Sequence, residues 1–102
     1  MDYLVAFTVT VPEGAPACEV EERTTGEATR VAELAAQGHA LRLWRPLPDD
    51  GRRRAIGLYC AADDSELEAI LASLPLRPWM EISVTALAEH PNDPALSQRT
   101  GA

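Results

Sequence analysis

One carboxylate stands out by its position. Val20, Thr24, Glu27, Val31 and Leu34 follow one another at steps of four, three, four and three, forming one stripe of a helix. At about 100° per residue, Glu27 falls about 20° to one side of Val20 and Val31 about 20° to the other. The remaining acids of the segment, Glu19, Glu21, Glu22 and Glu33, point sideways or outward. A carboxylate on an apolar face loses hydration, so its pKa rises and it becomes a better proton acceptor near neutrality. The same position also suits a structural ion pair with an arginine such as Arg42 or Arg45, so the stripe alone leaves both roles open.

The basic residues are all arginine and unevenly placed. Residues 40–54 carry Arg42, Arg45, Arg52, Arg53 and Arg54 against two aspartates, a local charge of +3, while 1–39 and 55–102 each sum to −5. With no lysine, Schiff-base, P-loop and lysine-base chemistry are excluded. A formal charge of −7 and no basic run longer than three argue against non-specific nucleic-acid binding. An anionic ligand would find attraction only at the 40–54 segment. Arg42 and Arg45 fall on opposite faces of a strand, so at most one faces a given pocket. The Arg52–Arg54 triplet reads as a solvated strand edge or turn, with a binding role as the sharper alternative. His39 reads as exposed and Trp44 and Trp79 as core or interface anchors. Cys18 and Cys60 lack CxxC or metal-ligand spacing and read as reduced packing residues of a cytoplasmic protein. No Gly-rich phosphate loop, Ser-His-Asp ordering or metal cluster is present, and no stretch approaches the ~20 apolar residues of a membrane helix. The N-terminus lacks the charged region of a signal peptide.

The elements that must position these side chains follow from periodicity. Tyr3, Val5, Phe7, Val9 and Val11 alternate on one face of a first strand, and the other face is apolar enough to expect cover on both sides. Pro16 suits a helix start, and Ala17 to Gln37 reads as a long helix ended by Gly38, with Gly26 a poor helix residue in its middle. Ala40 to Pro46 and Arg52 to Cys60 read as strands around a Leu-Pro-Asp-Asp-Gly turn. Asp63-Asp64-Ser65-Glu66 resembles a capping box opening a short helix with Leu67, Ile70, Leu71 and Leu74 inward. Trp79 to Leu87 reads as the last strand. The order β-α-β-β-α-β is that of a ferredoxin-like α+β fold over 1–90: a four-stranded antiparallel sheet with two helices on one face, followed by an irregular tail over 91–102. The bare sheet face predicts a homo-oligomer packed through it.

The assembled motifs resemble the muconolactone Δ-isomerase family. The resemblance rests on Tyr-Leu-Val-x-Phe-Thr-Val-x-Val-Pro (3–12), Glu27 before an Ala/Leu-rich helix and Gly38, Leu43-Trp44-Arg45, Leu74-Pro75-Leu76-x-Pro-x-Met80, and Leu87-x-x-His90-Pro91. It implies a dimeric α+β barrel type of subunit, in some members a decamer. It also implies a cofactor-free isomerase of the β-ketoadipate branch of aromatic catabolism, converting muconolactone to 3-oxoadipate enol-lactone. Glu27 aligns with the family's helix glutamate and is the implied proton shuttle. Arg45 or Arg42 is implied to bind the substrate's carboxymethyl group, with Thr24 and Trp44 as further binding candidates and His90 closing the pocket from an adjacent chain. Three departures fall near a pocket: Thr24 replaces a lysine, Ala55 lies where an asparagine is common, and Arg77 replaces a phenylalanine. They keep two other readings in play, a related enzyme acting on a different lactone or polyketide-like substrate and a non-enzymatic oligomeric binding protein.

Overall fold

The computed structural model describes residues 1–99. Four strands, β1 (Asp2–Val9), β2 (Ala40–Trp44), β3 (Arg53–Cys60) and β4 (Met80–Leu87), form one antiparallel sheet in the order β2-β3-β1-β4. Helix α1 (Ala17–Ala36) follows β1 and helix α2 (Asp64–Ala72) follows β3. This is the ferredoxin-like arrangement that the pattern predicts. In β1, buried Tyr3, Val5 and Phe7 alternate with exposed Leu4 and Ala6. The buried set meets Leu34 of α1 and Leu67, Ile70 and Leu71 of α2, so both helices cover the same face. Full burial of Val5 or Leu34 stabilises the fold by about 1.5–3 kcal/mol each.

The expectation of cover on both sides of β1 concerns the opposite face of the sheet. Among the described residues of the single chain its apolar side chains are open there, with Leu4 37% and Trp44 40% exposed.

The helix ends have local causes. Pro16 precedes α1 with φ −61° and ψ 140°, where its missing N–H costs no helical hydrogen bond. Gly38, at φ +82°, ends α1 by letting His39 N–H reach Leu34 O (2.8 Å) and its own N–H reach Ala35 O (3.1 Å). Asp63 caps α2 by accepting from Glu66 N–H (2.8 Å), and Glu66 Oε1 accepts from Ala62 N–H (2.9 Å), a capping box displaced by one residue. Strand β2 stops at Trp44, short of Pro46, and β4 starts at Met80 because Arg77–Trp79 tighten into a 3₁₀ turn around Pro78. The tail departs from the expected irregular segment: Pro94–Arg99 form a short helix, α3, begun by Asp93 accepting from Ala95 N–H (2.9 Å). The expectation for 100–102 lies outside the described residues.

Candidate active site

Glu27 lies half-buried on the inner flank of α1, as the stripe predicts. The adjacent Gly26 explains how it meets a backbone partner. A Cβ on Gly26 would come within 3.3 Å of Pro75 Cγ, so glycine lets the 74–76 segment approach the helix closely. Arg23 holds that segment from the preceding turn: Nη1 donates to Pro75 O at 2.6 Å, and its guanidinium lies 5.0 Å from the Trp79 ring centroid. The Leu76 N–H is thereby aimed at Glu27 and donates to Oε1 at 3.0 Å. Among the described residues Glu27 makes no ion pair with Arg42, Arg45 or any other cation. Burial pushes its carboxyl above the ordinary carboxylate value, and the Leu76 N–H only partly offsets this.

Glu27 opens onto a cleft of about 830 Å³ between α1, the sheet and the loop joining β2 to β3. Its floor is apolar, with Phe7, Val31 and Met80, and Tyr59 of β3 stands in its wall. Arg45, Arg52 and Arg53 line the loop side and form no ion pair among the described residues, whereas Arg54 Nη2 is held by Asp50 at 2.8 Å. Asp49 accepts from Gly51 N–H (2.9 Å) and Asp50 from Arg52 N–H (3.0 Å), fixing the turn that carries the arginines. The Arg52 N–H and the Arg54 charge hold Asp50 below the ordinary aspartate value against a smaller opposing effect of burial. Such a site can accept a proton inside an apolar wall while cations attract an anion.

The cleft sorts the residues singled out in the sequence. Glu27, Thr24 and Arg45 line it together; Thr24 Oγ1 donates to Val20 O at 2.7 Å. Arg42 and Trp44 do not. They occupy the outer sheet face, with the Arg42 guanidinium 5.0 Å from the Trp44 ring centroid, because Leu43 between them faces inward. His90 is exposed in the turn after β4, its Nδ1 accepting from Asn92 N–H (3.0 Å), and does not line this chain's cleft. The arginine triplet, read first as a solvated edge, lines the cleft. Cys18 is exposed rather than packed. The Leu76 N–H carries no side-chain signature in the sequence. Tyr59 shares one face of β3 with Ala55 and Gly57, and this is the inward set.

A ferredoxin-like α+β chain with a desolvated carboxylate in an apolar, arginine-mouthed cleft has the parts of an acid–base enzyme. The muconolactone Δ-isomerase family model matches residues 1–93. The chain is 32% identical over 92 residues to muconolactone Δ-isomerase of Cupriavidus pinatubonensis, covering 90% of this chain and 97% of the relative. It is likewise 32% identical over 92 residues to the enzyme of the same name from Acinetobacter baylyi, covering 90% and 93%. A crystal structure of muconolactone isomerase superposes with a TM-score of 0.82 at 24% identity, covering 92% of this chain and 95% of that one. A 5-chloro-2-hydroxyhydroquinone dehydrochlorinase from Burkholderia phenoliruptrix shares the fold at a TM-score of 0.60 and 10% identity, covering 88% and 96%. The chain belongs to the muconolactone Δ-isomerase family and is an isomerase. No helix among the described residues is long and apolar enough to cross a membrane.

Proposed function

We propose that this chain converts muconolactone to 3-oxoadipate enol-lactone in aromatic catabolism, with Glu27 moving the proton. The observation that carries the reading is Glu27 itself: half-buried at an apolar cleft, raised in pKa, and bonded only through Oε1 to one backbone N–H among the described residues. Its carboxylate takes the proton from C4, the ring carbon bearing the carboxymethyl group. The released electron pair forms the C3=C4 bond, and the former C2=C3 pair shifts toward the lactone carbonyl, giving a dienolate. The carboxylic acid then returns its proton to C2, the carbonyl reforms, and the double bond remains at C3=C4. Proton and electrons balance on one side chain, so no cofactor enters the step. Arg45, helped by Arg52 and Arg53, holds the carboxymethyl carboxylate.

A second copy of the chain covers the outer sheet face, where Leu4 and Trp44 are exposed. The free Cys18 and Cys60 suit the reducing cytoplasm. A bulkier unsaturated lactone is the second reading, favoured by a cleft of about 830 Å³, large for so small a substrate. The open cleft beside Glu27 weighs against a purely structural protein.

The test is incubation of purified protein with muconolactone in D₂O, followed by proton NMR. Enol-lactone whose C2 retains part of the original C4 proton supports the shuttle. Absence of turnover with muconolactone overturns the substrate assignment, and turnover of a larger lactone in its place establishes the second reading.

A further inference from the structure

Charge develops on the lactone carbonyl oxygen as the proton leaves, and a site that stabilises it needs a donor fixed in advance. Most polar groups of the cleft are already committed. The Leu76 N–H serves Glu27, the Thr24 hydroxyl serves Val20 O, and in the proposed reaction the arginines hold the carboxylate. Tyr59 is the exception. Its residue is 1% exposed and lines the cleft, yet its hydroxyl forms no hydrogen bond among the described residues. Tyr3, its partner across β1 and β3 and equally buried, donates to Asp64 Oδ1 at 2.9 Å.

The Tyr59 ring is held in place from two sides. A Cβ on Gly57 would lie 2.5 Å from Tyr59 Cε1 and 3.2 Å from Cδ1, so the ring occupies the space that a side chain at Gly57 would fill. The Phe7 ring packs against it with centroids 6.0 Å apart at 59°. Burial and the nearby Glu27 charge push the phenol up to about 12, so it remains a protonated donor throughout the neutral range.

We propose that Tyr59 is a catalytic residue whose hydroxyl donates a hydrogen bond to the lactone carbonyl oxygen as that oxygen takes up the dienolate charge, with Gly57 as the positioning residue that admits its ring. Tyr59 keeps its proton throughout; the charge returns to Glu27 when C2 is protonated. The inference rests on the Glu27 isomerase reading, and its test separates the two. Tyr59→Phe and Glu27→Gln are assayed in parallel on muconolactone, with circular dichroism confirming that each is folded. Tyr59→Phe is expected to lose about 10²-fold in kcat, as for removal of one oxyanion donor, with little change in KM. Gly57→Ala, which displaces the same ring, is expected to lower kcat in the same sense, and Gly57→Ala combined with Tyr59→Phe to fall little further than Tyr59→Phe alone. An inactive Glu27→Gln beside a Tyr59→Phe variant of unchanged kcat, or one changed in KM alone, overturns the role of Tyr59 and leaves the shuttle standing. Full activity in Glu27→Gln overturns the shuttle itself.

Discussion

Tyr3 and Tyr59 face each other across adjacent strands and are buried alike, but their surroundings divide the molecule into two regions. At the α2 end, Tyr3 donates to Asp64, and burial with that acid bond raises its phenol to about 12. At the α1 end, Tyr59 and Glu27 line a cleft, and among the described residues the one hydrogen bond to either side chain is that from Leu76 N–H to Glu27 Oε1 at 3.0 Å. The first region is closed and satisfied, so its polar groups serve stability. The second leaves, among the described residues, a donor and an acceptor unspent at the surface of the cleft, and such groups are what a site needs to act on a substrate.

The largest effect that would break this contrast is at Glu27. Glu27→Gln is expected to lower kcat by at least about 10²-fold in steady-state assays, because the amide cannot accept the proton. Next comes the loop side: Arg45→Ala should raise KM about 10-fold with kcat nearly unchanged, the loss of one charge-assisted hydrogen bond to the carboxylate. Tyr3→Phe should cost about 1 kcal/mol in urea unfolding and leave kcat alone, since it leaves Asp64 without its donor. Equal kinetic effects of Tyr3→Phe and Tyr59→Phe would erase the distinction between the two regions.

Smaller effects sharpen it. At Gly26→Ala, the gain of about 1 kcal/mol in helix propensity opposes the 3.3 Å approach of Pro75. Thermal unfolding should move little while kcat falls a few-fold, because the Leu76 N–H shifts from Glu27. The smallest effect is in pH dependence. With its pKa raised on folding, Glu27 keeps a proton in the window just above 4.5 that the unfolded chain has already released. Its contribution to stability is therefore full below that window and lost as pH rises through it, a slope that titration of unfolding midpoints should find in the native chain and not in Glu27→Gln. The kcat/KM profile should fall on the acid side as Glu27 becomes protonated.

Much of the framework is local and was legible. The alternation of Tyr3, Val5 and Phe7, the Gly38 helix stop and the Asp63 cap each express a preference of a few neighbouring residues. The inward aim of Glu27 follows from the same arithmetic. Its partner did not, because the donor is a backbone N–H 49 positions away. The choice between Arg42 and Arg45 was narrowed by strand alternation and decided only when Leu43 was seen to face α1. Gly26 looked like a flaw in a helix until Pro75 was found against it.

The sequence by itself determined the β-α-β-β-α-β order, the face on which Glu27 stands and the family to which the motifs belong. These depend on periodicity, caps and contiguous motifs, which act over a few residues. Tertiary structure alone decided that, among the described residues, Glu27 meets Leu76 and no arginine, that Arg42 and Trp44 turn away, and that the Tyr59 hydroxyl has no hydrogen-bond partner where the Tyr3 hydroxyl has one. Those outcomes depend on how distant segments close on one another, and hydrogen-bond satisfaction is a property of the assembled space rather than of any stretch of chain.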